Sequence, residues 1–353
     1  TTPVMIENPP SMRRTTHVFD RGNWLVEGQE VQPGVPEILP DLSADDSPDR
    51  LDLARWLVRE DHPLTARTLV NRLWSQLFGT GLVETLEDLG SQSPAPSHPE
   101  LLDWLAWELM HTHDWHLKSF LKMLVMSKTY RQQSLASQDL LEKDPYNRLL
   151  SRGPRVRLSA EQLRDQALYV SELLNTEMYG PSVMPYQPVQ WTTPYSNEKW
   201  VESTDGQQHR RAVYTYWKRS SPYPAMMIFD AAAREVCEAR RIQTNTPLHA
   251  LVTLNDPVYF EAASHFAQRM YAAGDDLTIR IAAGYEWCLG LPISADKSAV
   301  FQQLYDRTQA DFADGSSDPE ALLAYLDEGD ENMAAMVVVA NAMMNMDEFI
   351  TKN

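Results

Sequence analysis

Apolar positions recur with a helical period over most of the chain. In "LVNRLWSQLFGTGLV", residues 69–83, about 100° per residue puts Leu69, Val70, Leu73, Trp74, Leu77 and Phe78 on one half of a helical wheel, with Arg72, Ser75 and Gln76 on the other. Asn71 falls on the boundary, where its amide can cap, pair or do nothing; Gly79 and Gly81 predict the helix stop. Ser47-Pro48 predicts an N-cap with Pro at the first helical position, ahead of Leu51, Ala54, Leu57 and Val58. The run Ser97 to Glu100 predicts a capping box before Leu101, Leu102, Leu105 and Leu109. Ser159 and Gln162 predict another, with Leu158 and Leu163 as the apolar staple, for a helix to about residue 175.

Further helices are predicted over 117–130, 247–273, 277–289, 295–312, 319–328 and 333–350, and only "RAVYTYWK", Arg211 to Lys218, alternates like a strand. Residues 1–45 hold little helical period, and "THVFDRGNW" and "GQEVQPGVPEIL" read as short extended pieces joined at Gly turns. The pattern therefore predicts a mainly α fold: a multi-helix globular domain over 46–353, an extended N-terminal strap over 1–45, and at most a small β element. Within the domain, residues 176–209 form a long insertion rich in Pro and aromatic residues. Its length without helical period, together with Tyr186, Trp191, Tyr195 and Trp200, marks it as an ordered binding loop.

Composition narrows the function. With 353 residues, 43% hydrophobic, 10 Trp and 14 Tyr, the chain is globular rather than disordered and large enough to need no disulfide or metal for its core. A net charge of −18 argues against nucleic acid, whose phosphates call for surplus Lys and Arg. No transmembrane segment is predicted, because the long uncharged and mostly apolar run, Asn332 to Met346, is too short for the ~20 apolar residues a span needs and reads as a buried core helix. Residues 1–14 contain no apolar signal core, and a start at Thr fits a processed product or a fragment. Cys237 and Cys288 have no metal-binding spacing; they read as two buried thiols in a reducing compartment, or a pair in an oxidising one. With no Cys-x-x-Cys-His, the chain cannot attach haem c by that motif.

Candidate chemistry is sparse. His111, His113 and His116 crowd six positions, but helical geometry sets the first two about 200° apart, so no metal site is predicted and a helix end carrying His near its negative pole explains them better. Ser294 to Lys297 matches Ser-x-x-Lys without the companion motifs of the acyl enzymes. Charge is more telling: between His209 and Arg241 stand seven cations (Arg210, Arg211, Lys218, Arg219, Arg234, Arg240, Arg241) against Asp230, Glu235 and Glu238. One explanation is internal pairing with the acidic stretch 304–332. The other is an anion site in which Arg219, Arg240, Arg241 and Lys218 hold a carboxylate, a sulfate or a haem propionate. There the loop around Trp191 and Trp200 covers the ligand, and Asp230 or His98 carries a proton.

The blocks "RLDLARWLV", "HPLTARTLVNRLWSQLFGTGLVETLEDLG", "PSHPELLDWLA", "YRQQS", "DPYNRLLSRGPRVRLSAEQLRDQAL", "YTYWKRS", "TNTPLHALVTLND" and "MMNMDEFIT" occur in this order. Together they resemble the C-terminal domain of unknown function of the planctomycete cytochrome C domain proteins, from about residue 4 to 351. The resemblance places Asn71, Arg72, His98, Lys218, Arg219, Asp230, Arg240, Arg241, Thr244, Asn255 and Asp256 in signature blocks, with Asn71 and Arg72 counted among substrate-binding positions. It implies an exported, extracytoplasmic polypeptide whose c-type cytochrome module carries the haem, so that haem c belongs to a partner module and no cofactor is held covalently here. It also implies a share in an oxidoreductase acting on a carbohydrate-derived or other anionic substrate. The alternative is a non-catalytic interaction or polysaccharide-binding module docking a cytochrome partner. An exported home moves the two cysteines toward pairing.

Overall fold

The computed structural model describes residues 4–42, 48–188 and 199–352. The chain forms two compact units, Thr1–Gln132 with Ala136–Gly153, and Gln133–Leu135 with Pro154–Asn353. Its architecture is mainly α, with two small two-stranded antiparallel sheets among the described residues.

In the first unit, β1 (Thr16–Phe19) and β2 (Glu27–Val31) pair as a bulged hairpin, which gives part of the predicted strap regular structure. Four helices follow, α1 (Arg50–Leu57), α2 (Thr65–Phe78), α3 (Pro99–Trp107) and α4 (Leu117–Met126), then the short α5 (Gln138–Lys143). Val70 and Trp74 of α2 meet Leu102, Leu105 and Leu109, then Phe120 and Leu124 of α4, in one core. Two predicted starts move. Asp49 caps α1 with a reciprocal capping box to Asp52, because its carboxylate reaches the Leu51 and Asp52 N–H groups; Ser47 lies outside the described residues. At α3 the cap is His98, without a side-chain bond, and Ser97 faces Leu82 instead, its N–H and hydroxyl both donating to that carbonyl.

In the second unit, α6 (Ala160–Val170) begins with the Ser159/Gln162 capping box as predicted but ends at Val170, short of 175. The predicted strand 211–218 is instead a 3-10 turn, Ala212–Tyr214, and only Thr215 makes an isolated bridge, to Val183. After α7 (Pro224–Ile228), the predicted helix 247–273 divides into α8 (Pro247–Asn255) and α9 (Pro257–Ala272). Pro257 lacks the N–H to continue the ladder, and the Asp256 carboxylate accepts from Val258 N–H to cap the second piece. The remaining helices are α10 (Leu277–Leu289), α11 (Ala295–Ala313), the single turn α12 (Pro319–Leu322), α13 (Glu331–Met344) and α14 (Asp347–Ile350). α13, apolar around its girth, lies buried against α9 as the predicted core helix. β3 (Val156–Arg157) and β4 (Thr351–Lys352) pair and tie the end of the chain to the entry of α6. Among the described residues no helix is long and apolar enough to cross a membrane. The two cysteines are free thiols; Cys288 is buried, which pushes it up to about 12, whereas Cys237 is exposed and not the buried thiol expected.

Candidate functional site: an aromatic cleft in the first unit

α2 stops where Gly79 turns left-handed at φ 85°, and the returning chain is clamped from within by the helix. Asn71 is 1% exposed; its amide donates to the Val83 carbonyl at 2.9 Å and accepts from Val83 N–H at 2.9 Å, as a neighbouring strand would. Gly81 passes so close that a Cβ there would meet the Val83 carbonyl oxygen at 2.4 Å and the Asn71 amide at 2.7 and 2.9 Å. Arg72 is exposed on the polar face of α2, as its place on the wheel predicted.

This turn is one wall of a cleft of about 240 Å³. Its floor is Trp74 stacked on Phe78, with ring centroids 3.9 Å apart. Thr80, Gly81, Leu82, Glu84 and Ser97 line one side, and the turn Tyr146 to Arg148 with Leu150 lines the other. That second turn is built on buried Asp144, whose carboxylate accepts from Arg148 and Leu149 N–H, while its carbonyl accepts from the Arg152 guanidinium. Asn147 (φ 51°) and Leu150 (φ 55°) are left-handed, a conformation Asn tolerates and Leu rarely adopts, so the lip carries backbone strain of the kind found at ligand sites. Tyr146 is 83% exposed at the rim, and Arg148 reaches Glu84 at 3.4 Å, both half-exposed. No signal but the Asp-Pro and Asn turn residues of "DPYNR" announced this wall.

The residues expected to form an anion site are placed otherwise. Asn71, Arg72 and His98 belong to the first unit; Lys218, Arg219, Asp230, Arg240, Arg241 and Trp200 belong to the second. His98 is half-buried and shares a hydrogen bond with the Ser97 hydroxyl. Both oxygens of Asp230 are engaged by Thr244, through its N–H and hydroxyl, and Asp230 itself is left-handed at φ 58°. Arg241 forms a fork with Glu161 at 2.7 and 2.9 Å, and Arg211 pairs with Asp165 at 3.0 Å. Arg210 is buried and donates to the carbonyls of Glu177, Tyr179 and Pro181, and Arg234 lies over Trp217. The carboxylates answering Arg241 and Arg211 thus come from α6, not from the acidic stretch 304–332. Lys218 is buried, and Arg219 and Arg240 are exposed. Trp200 donates its indole N–H to the Pro185 carbonyl and stacks on Tyr223 in the core, whereas Trp191 lies outside the described residues. His111, His113 and His116 face three different partners, Glu60, Ser119 and the His113 carbonyl.

The Arg241–Glu161 fork pins the exposed segment 231–246 to α6. Burial opposes ionisation of Glu161, but the Arg241 hydrogen bonds outweigh it and hold the carboxyl below its ordinary value of 4.5. A carboxyl depressed in the folded state stabilises fully above its unfolded value and loses that contribution as pH falls through the folded one. The stability gap between wild type and Glu161→Gln is therefore expected to be full near neutral pH and to shrink below the ordinary value. Urea unfolding at about pH 7 and about pH 3 measures it, and an unchanged gap would contradict the assignment.

A second polar cluster, which pattern reading missed apart from Asp256, sits at the start of α9. Burial raises the Asp256 carboxyl and the Tyr223 and Tyr259 phenols beside buried Arg164, while His209 meets Glu261 at 3.1 Å. Arg164 also donates to the Arg210 and Gln208 carbonyls, which gives the cluster a packing role.

The described residues thus form a mainly helical chain with an aromatic-lined cleft in the first unit, and in the second Arg210, Arg211 and Arg241 are engaged by backbone carbonyls and carboxylates. The PSD1 family, described as a protein of unknown function (DUF1553), matches residues 49–305, and the chain belongs to it. No curated protein and no solved structure matches the chain.

Proposed function

We propose that the chain is a saccharide-binding module of an exported, c-type-cytochrome-associated protein, and that the cleft of the first unit seats the sugar. The observation that carries this reading is the exposed Tyr146 ring in a cleft that Trp74 and Phe78 also line. The exposed Tyr146 ring offers a face to the C–H face of a pyranose, buried Trp74 and half-buried Phe78 contribute apolar lining, and Thr80, Ser97, Glu84 and Arg148 line the same cleft as donors and acceptors for its hydroxyls. A cleft of about 240 Å³ is the space of about eight waters, suited to one ring rather than a long chain. Haem c, and any redox step on a carbohydrate-derived substrate, then belong to a partner module. An anion site built on Arg219, Arg240 and Arg241 has weaker support, because Arg241 is already forked to Glu161 and Asp230 is engaged by Thr244.

Titration with a panel of neutral and acidic mono- and disaccharides, followed by tryptophan fluorescence and calorimetry, tests the reading. Tyr146→Ala is expected to weaken the best ligand about tenfold without changing helical content, as the loss of one stacking face implies. Equal affinity in the variant, or no binding by any sugar of the panel, would reject it.

A further inference from the structure

Among the described residues, the face of α3 turned away from the core is largely exposed and has an unusual composition. Leu102, Leu105 and Ala106 are buried, while Trp104 and Trp107 stand 49% and 51% exposed, so each indole offers an open face. Glu100, Trp104 and Glu108 follow at intervals of four and line up along this face. Neither carboxylate is paired with a cation among the described residues, whereas Asp103 beside them is already taken by Arg67 at 2.6 Å. The helix then widens into one π turn, Glu108–Thr112, in which His113 N–H reaches back to the Glu108 carbonyl. His111, on that turn, stands 4.8 Å from the Trp107 ring, with Glu60 3.9 Å from its imidazole.

Open indole faces bordered by carboxylates attract cations twice, through the ring quadrupole and through charge. The strip is convex and runs about 12 Å from Glu100 to Glu108, which makes no cage for a single small ammonium ion. It does match an extended chain, whose same-face side chains recur about every 6.8 Å. We propose that this face of α3 docks a basic segment of a partner protein, with Arg or Lys side chains laid over Trp104 and Trp107 and paired with Glu100 and Glu108. Aromatic anchors inside a charged rim are the composition of protein interfaces, and a neutral polyhydroxyl ligand has no use for the carboxylates.

An alternating Arg-Ser peptide of about ten residues, titrated into the full chain and followed by indole fluorescence, is the probe. Trp104→Ala with Trp107→Ala is expected to weaken binding at least about tenfold. Glu100→Gln with Glu108→Gln, which keeps both indoles, is expected to weaken it and flatten its salt dependence. Should the tryptophan pair disturb folding by circular dichroism, Glu100→Lys with Glu108→Lys replaces it and is expected to abolish binding. Equal binding to the wild type and these variants would show only general attraction to a chain of net charge −18 and would overturn the proposal. So would a Gln-Ser peptide or a neutral xylan occupying the strip as tightly. The Tyr146 experiment probes a different surface, so either proposal can fail alone.

Discussion

Asn71→Ala is expected to destabilise the chain by about 3 kcal/mol, because it strands two buried backbone groups at once, each worth about 1–3 kcal/mol when left unsatisfied. The lost partners are the Val83 N–H and carbonyl, each 2.9 Å from the Asn71 amide. Gly81→Ala strikes the same contact from the other side: its Cβ would lie 2.4 Å from the Val83 carbonyl oxygen, a backbone atom that moves only by shifting the turn. The double variant is therefore expected to lose less than the sum of the single losses, the signature of residues sharing one interaction. Urea unfolding of the four species measures it. Additive losses would mean that Asn71 and Gly81 act independently, and a loss below about 0.5 kcal/mol for Asn71→Ala would place the amide outside the load of the fold. Since the clamped turn is a wall of the cleft, the same variants are expected to weaken sugar binding as well.

Arg210→Met is expected to cost about 3 kcal/mol, and Arg219→Met less than about 0.5 kcal/mol. In sequence the two cations are equivalent members of one basic segment. In the fold Arg210 is 1% exposed, donates to three carbonyls between Glu177 and Pro181, and stacks on Tyr214 at 3.8 Å. Methionine keeps the bulk but leaves three acceptors without the donor that gathers the start of the long insertion. Arg219 is exposed, and its loss touches none of this. Proteolysis of the 176–188 stretch, compared between the two variants, gives a local readout beside global unfolding. Equal sensitivity in both would refute the packing role of Arg210.

The cleft illustrates why a site can stay hidden in a pattern. Its floor, Trp74 and Phe78, was visible as the apolar stripe of a helix, which is how every core-facing aromatic looks. What makes these two a floor is a second turn more than sixty residues later, held by Asp144 and Arg152, and no local rule connects the two segments. In the basic segment, charge counted along the chain takes no account of the α6 carboxylates that meet Arg211 and Arg241 in space.

Local chemistry determined most of the helices, the capping box at Ser159, the left-handed stop at Gly79 and the buried character of 333–344, because period, caps and breakers act over a few residues. It misplaced the strand at 211–218 and ran one helix through Pro257, where alternation and period are short enough for tertiary packing or a missing N–H to override. Whether a polar side chain becomes a clamp, an ion pair or an open surface was decided only by folding. Arg241 and Arg219 carry the same guanidinium, and only the Glu161 carboxylate that the fold brings within about 3 Å of Arg241 distinguishes them.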